Sequence, residues 1–324
     1  ERSPLTTPRS DDMSDWTTND IPDQAGRTIL ITGANSGIGY EAAKALVDKG
    51  AHVVLACRSR AKAEGAVAQI EAGEPSGSTE ILEMDLADLD SVKQAAGAFL
   101  ASHDRLDVLV NNAGLMATPK KLTAQGVEMQ FGVNHLGHFA LTGHLLDLLA
   151  ASGTDDEPAR VVSVSSQAHR PGKIDFGNLD ASKSYNPWRA YAQSKLANLL
   201  FMRELDDRCD DADLQITSAA AHPGGSETNL GNEPAGDFFS RLLKVVEPVV
   251  SKFGIQSASM GALPTLRAVA DPDVEGGDYF GPDGFNEMKG HPEKVDMSKR
   301  AEDDDLAKRL WDVSIELSQV SYLS

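Results

Sequence analysis

The chain is expected to fold as a single α/β domain built on a doubly wound parallel sheet of about seven strands flanked by helices. Three observations predict this. Short runs rich in β-branched residues alternate with helical patterns from Thr28 onward. Several runs, such as Val53–Ala56 (VVLA), are apolar without alternation, as strands covered by helices on both faces are. The polar connectors Gly73–Thr79 and Ser152–Pro158 are too short to divide domains, and no internal repeat interrupts the pattern.

Taken in order, the predicted strands are Thr28–Thr32, His52–Cys57, Glu80–Met84, Leu106–Val110, Arg160–Val164 and Gln215–Ala219. The predicted helices between them are Gly39–Lys49, Arg60–Ala72, Leu89–His103, Gly126–Ala150 and Tyr191–Asp207. Residues 1–24 are polar and are expected to be disordered or extended, with Met13 a candidate natural start. They hold no apolar core of the kind a secretory signal carries. Beyond His222 the sequence is less regular, and about 225–300 is read as a lobe covering the substrate within the one domain, 25–324.

The composition narrows the class. Of 324 residues, 41% are hydrophobic and 6% aromatic, which suits a globular enzyme, and no apolar run reaches the roughly 20 residues that span a bilayer. The 49 acids against 30 bases give a formal charge of −19, which would repel nucleic acid. The acids are spread along the chain, aspartate outnumbers glutamate 31 to 18, and lysine numbers 15. That balance resembles proteins of high-salt cytoplasm. Two cysteines, Cys57 and Cys209, offer neither a disulfide framework nor metal-ligand spacing, so a reducing cytoplasm is expected. His135, His138 and His144 lack a carboxylate or cysteine to complete a metal set and are read as packing or solvent-facing helix residues; no metal is expected.

The first strand runs into TGANSGIG, Thr32–Gly39, and then a helix. In that context Gly33, Gly37 and Gly39 allow a tight turn and close approach of backbone N–H groups to a pyrophosphate, the Rossmann-type dinucleotide site. Asn35, Ser36 and Ile38 belong to the same turn. The second strand ends at Cys57, where a site for NAD would place an acid for the ribose hydroxyls, and Arg58 follows. A guanidinium suits a 2′-phosphate, so NADP(H) is expected over NAD(H), with Asn35 and Ser36 adding hydrogen bonds. Asp85 and Leu86 follow the third strand, where adenine would lie. Asn112, Ala113 and Gly114 follow the fourth, Pro223 and Gly224 the sixth, and Thr228 is the loosest match of the set.

In AYAQSKLANLLF, Tyr191 stands four residues before Lys195, so the two share a helix face. A phenol that gives or takes a proton beside a cation able to depress its pKa is the pairing that hydride-transfer chemistry needs. Tyr185 and Arg189 have the same spacing, but Pro187 between them argues for a loop.

Together TGANSGIG, ACRS, NNAG, FGVNHLGHF, RVVSVSSQAH, AYAQSKLANLLF, HPGG and KRLWDVSIEL resemble the short-chain dehydrogenase/reductase family over about Gln24–Leu317, and especially its retinol-dehydrogenase-like branch, which is itself similar to protochlorophyllide reductases. The resemblance implies Tyr191 as general acid/base and Lys195 as the group that lowers its pKa and holds the nicotinamide ribose. It implies Ser166 as the residue orienting the substrate oxygen, and Asn134 as the anchor of a water linking Lys195 to solvent. The 25 residues from Ser166 to Tyr191 exceed the spacing of compact family members; Ser165 stays open as the alternative, since strand alternation turns the two opposite ways.

The resemblance also implies an apolar carbonyl/alcohol substrate under the apolar stretch Asp237–Gly254, which carries Arg241, Lys244 and Lys252. Homo-oligomers are common in the family and are an expectation here. Two rival readings stand beside this one: a cofactor-binding sensor or scaffold without turnover, and a reductase of carbon–carbon double bonds.

Overall fold

The computed structural model describes residues 15–225 and 256–323. Eight strands form one sheet in the order β3-β2-β1-β4-β5-β6-β7-β8. They are β1 (Thr28–Thr32), β2 (His52–Cys57), β3 (Ser78–Glu83), β4 (Val108–Asn111), β5 (Ala159–Val164), β6 (Ile216–Ala221), β7 (Tyr279–Pro282) and β8 (Pro292–Lys294). The first seven are parallel. β8 runs antiparallel along β7, with Phe280 opposite Lys294. It goes beyond the expected seven strands because Pro292, Glu293 and Lys294 carry no strand pattern; an edge strand needs none.

The helices are α1 (Gly37–Asp48), α2 (Arg60–Glu71), α3 (Leu89–Ser102), α4 (Met129–Phe131), α5 (Gly137–Ser152), α6 (Pro187–Asp211), α7 (Ala258–Ala270) and α8 (Asp304–Ser318). One face of the sheet is covered by α1, α2 and α7, which bury Ala43, Leu46, Ile70, Leu266 and Val269 against Ile29, Ile31, Val53 and Val110. The other is covered by α3, α5 and α6, with α8 packed outside them through Trp311, which lies edge-on to Phe139 and stacks on Phe201. Apolar side chains therefore leave both faces of the central strands, which is why VVLA does not alternate.

Several boundaries differ from expectation for local reasons. The segment read as one helix over Gly126–Ala150 begins instead at Met129, capped by Glu128, and passes through a π-helical turn, Gly132–Leu136, before α5. α6 starts at Pro187, whose missing N–H costs nothing at a first helical position, and Asn186 caps it through Trp188 N and Arg189 N. Within 1–24, expected to be disordered or extended, the described residues are anchored. Thr17 and Asp20 form a reciprocal capping box, Ile21 is buried, and Gln24 N donates to Lys49 O at 2.8 Å. Within about 225–300, expected as a lobe, α7, β7 and β8 belong to the sheet layers, where Arg160 on β5 donates to the last carbonyls of α7. Met13 and Asp237–Gly254 lie outside the described residues. Among those residues, no helix is long and apolar enough to cross a membrane.

Candidate active site

The sheet order reverses between β1 and β4, and a crevice opens beyond the C-terminal ends of the strands at such a switch point. A cleft of about 300 Å³ lies there, lined by the residues that follow β1, β2, β3, β4, β5 and β6.

Its floor is the turn after β1. Gly33 and Gly37 take φ of +68° and +58°, a conformation that side chains resist. A Cβ on Gly39 would strike Asn112 Nδ2 and come within 2.7 Å of Gly33 O, so this position holds the start of α1 close to β4. Ser36, the residue before α1, makes no side-chain cap. The first N–H groups of α1 therefore keep donors free of intrahelical acceptors, at the positive end of a helix dipole. Gly33, Asn35, Ser36, Gly37, Ile38 and Gly39 all line the cleft, as the sequence predicts. Backbone donors in a glycine cradle at a helix start fit a pyrophosphate.

The outer wall comes from the turn after β2. Cys57 is buried, and burial pushes its thiol up to about 11, so it offers no negative charge. Arg58 lines the cleft beside it, and so does Lys62, which the sequence reading missed. The signal was available, since Lys62 lies in the first turn of α2, where Ser59 accepts from its backbone N–H. Two cations at this corner fit a 2′-phosphate better than a bare ribose diol. Asp85 and Leu86 after β3, and Asn112, Ala113 and Gly114 after β4, complete the wall.

NNAG is pinned to β1. Asn112 Nδ2 donates to Thr32 O at 2.7 Å, and Thr32 Oγ1 accepts from Asn112 N and Ala113 N at 3.0 and 2.9 Å. The Thr32 hydroxyl in turn faces His138 Nε2 at 2.8 Å. His138 Nδ1 donates to Asn134 O at 3.0 Å, so Nε2 is the acceptor in that contact. Burial holds His138 down to about 4, hence neutral. A histidine read as packing is thus part of the frame that positions the cleft. His135 Nε2 is 2.9 Å from Ser314 Oγ, away from the cleft.

At the inner end stand Tyr191 and Lys195, both buried, with Lys195 Nζ 5.8 Å from the centre of the Tyr191 ring. Lys195 Nζ donates to Val164 O at 2.9 Å, and burial pushes it down to about 8. A Cβ on Gly114 would lie 3.4 Å from both Lys195 Nζ and Asn134 Oδ1, so the NNAG turn passes directly over these groups. Burial raises the Tyr191 phenol above its ordinary range, and only a hydrogen bond with Ser166 opposes this.

The two serines part ways. Ser165 Oγ donates to Lys195 O at 2.8 Å and ties β5 to α6, whereas Ser166 Oγ accepts from Ala168 N at 3.2 Å and acts on the Tyr191 phenol to lower its pKa. Asn134, in the π-helical turn, accepts from Leu115 N at 2.7 Å, and its Nδ2 lies 2.9 Å from both Leu115 O and Ser194 Oγ. Tyr185 is a loop residue, as read, with its hydroxyl donating to Thr118 O at 2.6 Å. Pro223 lines the cleft. Gly224, expected beside it, turns away at φ +62° to pack against the backbone of Glu287 and Met288. Thr228 lies outside the described residues.

Comparison with known proteins adds an independent line. The sequence matches the short chain dehydrogenase family over residues 27–235. It is 41% identical over 304 residues to Retinol dehydrogenase 14 of Homo sapiens, covering 89% of this chain and 85% of that protein. The structure of an uncharacterised protein from Mycobacterium paratuberculosis superposes with a TM-score of 0.78 at 39% identity, covering 95% of this chain and 99% of that one. A protein described as an NAD(P) dependent gluconate 5-dehydrogenase from Beutenbergia cavernae, solved with bound NADP at low occupancy, gives 0.58 at 26% identity over 78% of this chain and 92% of that one.

Proposed function

The chain belongs to the short-chain dehydrogenase family, and from that premise we propose that it is an NADP(H)-dependent oxidoreductase interconverting an apolar carbonyl compound and its alcohol. The observation that carries the reading is the joint occupancy of one cleft: Tyr191 and Lys195 at its inner end, and Arg58 with Lys62 at its outer corner.

The nicotinamide, when bound, supplies a hydride to the substrate carbon or takes one from it. Every other task falls to this chain. The N–H groups of Gly33–Gly39 hold the pyrophosphate, and Arg58 and Lys62 hold the 2′-phosphate by charge-assisted hydrogen bonds. Asp85, Leu86 and Asn112–Gly114 enclose the adenosine half, and Pro223 bounds the nicotinamide end. Tyr191 gives its proton to the carbonyl oxygen in reduction and recovers it in oxidation. A phenol raised by burial is protonated at neutral pH, which favours the donor role. Ser166, just past the end of β5 beside that phenol, orients the substrate oxygen. Lys195 places a positive charge beside the phenol, and Asn134 anchors a water that links Lys195 to solvent. The exposed Trp188 lies edge-on to Tyr191 at 6.5 Å and supplies an apolar surface at the mouth, as an apolar substrate would require.

The test is a titration of NADPH against NADH in high salt, followed by a panel of apolar aldehydes and ketones read at the nicotinamide absorbance. Tighter NADPH binding with turnover is expected. A Tyr191→Phe variant should bind NADPH as before and lose about 10²–10⁴-fold in turnover. NADPH binding without turnover of any panel member would favour a cofactor-binding sensor, and no binding of either nucleotide would overturn the reading.

A further inference from the structure

At the opposite end of the sheet, two imidazoles and a carboxylate converge on one point. His52 opens β2, Glu80 lies in β3, and His103 is the residue that ends α3. His52 Nε2 and His103 Nε2 lie 3.4 and 3.2 Å from the same oxygen, Glu80 Oε2. The three ligand atoms all fall within 4.8 Å of one another. β2 separates this cluster from Arg58 by about 20 Å, at about 3.3 Å per strand residue, so it takes no part in the cleft. From this geometry we infer that His52, Glu80 and His103 form a binding site for a divalent transition-metal ion, Zn²⁺ being the best match, which staples β2, β3 and α3 together.

The outer nitrogens carry the first support. His103 Nδ1 lies 3.1 Å from Phe99 O and 2.9 Å from Ser102 Oγ. Its Nε2 faces the Glu80 carboxylate at 3.2 Å. His52 Nδ1 lies 2.8 Å from Ser78 Oγ, a hydroxyl that can give or take the proton. An outer nitrogen fixed by a carbonyl or hydroxyl, with the inner one aimed at a common centre, is how proteins orient metal-binding histidines.

The ring geometry adds a second. His52 and His103 stack at 5.7 Å with 29° between planes, and His103 lies flat on Phe99 at 4.2 Å. A single divalent ion satisfies both lone pairs and the carboxylate at once.

Donor spacing is the third. With metal–ligand bonds of about 2.0–2.2 Å in tetrahedral geometry, two donors stand roughly 3.3–3.6 Å apart, close to the 3.4 and 3.2 Å of the two contacts to Glu80. Two imidazoles and one carboxylate suit zinc, copper or nickel rather than magnesium or calcium. Water completes the coordination, because the cluster is only half-buried. The expectation of no metal, drawn from His135, His138 and His144, missed this site because its ligands are far apart in sequence and meet only through strand pairing.

The test uses the full chain without added histidines, treated with chelator and then titrated with ZnCl₂ by calorimetry and with CoCl₂ by visible absorbance, in molar KCl to suppress diffuse binding to the acidic surface. One ion per chain is expected, with tetrahedral cobalt bands and a higher thermal midpoint. Glu80→Gln and His103→Gln should each weaken binding by about tenfold or more, while turnover without metal stays unchanged. Ring-carbon NMR of the wild-type chain is read alongside, so that a poorly folded variant does not decide the matter. Zn²⁺ should shift two of the eight histidines, those that report His52 and His103. No saturable binding, equal binding in a His52→Gln/His103→Gln double variant, or shifts confined to other histidines would each overturn the inference.

Discussion

Lys195 Nζ donates to the carbonyl oxygen of Val164 at 2.9 Å, so the ammonium is fixed to the last residue of β5, two positions before Ser166. Asn198 Nδ2 donates to the same carbonyl at 3.0 Å. One strand end thus positions the lysine of α6 and the serine that bonds to Tyr191. The geometry of the proton-transfer groups depends on β5 and α6 being packed together, and Ser165 reinforces that packing through Lys195 O.

This arrangement predicts a pH dependence. Burial lowers Lys195 from an ordinary 10.5 to about 8. Below about 8 the ammonium is charged and holds its partners; above it the charge is lost in the folded protein while an unfolded lysine would still carry it. NADPH affinity should therefore be level from pH 6 to 7.5 and fall as pH rises through about 8. A Lys195→Met variant, titrated by fluorescence across the same range, should bind weakly throughout and show no such fall.

At the outer corner, removing positive charge should reverse nucleotide preference in steps. Arg58→Asp should cost NADPH binding about 10–100-fold, as loss of charge-assisted contacts worth about 1.5–3 kcal/mol does, with little effect on NADH. Lys62→Ala should cost less, and the double variant should favour NADH. Nucleotide titrations of the three variants check this, and an unchanged NADPH:NADH ratio in the double variant would remove both cations from the 2′-phosphate site.

The interior offers a separate test in His135, which sits among Phe131, Phe139 and Phe201 with its Nδ1 unpartnered. Burial pushes it down to about 3 from 6.5. The unfolded chain therefore takes up a proton that the fold refuses, and stability drains as pH falls from about 6.5 toward 3. His135→Phe should leave stability at pH 7 within about 1.5 kcal/mol of the parent, as volume-conserving core changes do. The same variant should move the acid-unfolding midpoint, followed by circular dichroism, to lower pH.

The formal charge of −19 predicts salt dependence. Screening shortens from about 10 Å at 0.1 M to about 3 Å at 1 M, which relieves repulsion among surface carboxylates. The thermal midpoint should rise steadily with KCl over that range, and dialysis into dilute buffer should cost activity and helical signal together. Full retention of both would set aside the high-salt reading.

Local chemistry made part of this protein legible from its residues. β1 and β2 carry their signal in short apolar runs, and both strands span the residues expected of them. The glycine turn and the Tyr191–Lys195 spacing are likewise local, because a turn conformation and a helix face are set by neighbours in sequence. Tertiary packing decided the rest. Ser165 and Ser166 could be told apart only once α6 lay against β5 and presented Lys195 O to one of them. Burial by the assembled core raises the Tyr191 phenol, which no local pattern in the sequence could show. β8 is a strand only because β7 offers an open edge, and His52, Glu80 and His103 form a cluster only because β2, β3 and α3 meet. Sequence determines what neighbours along the chain can do to one another; burial, and contacts between distant segments, exist only in the folded state.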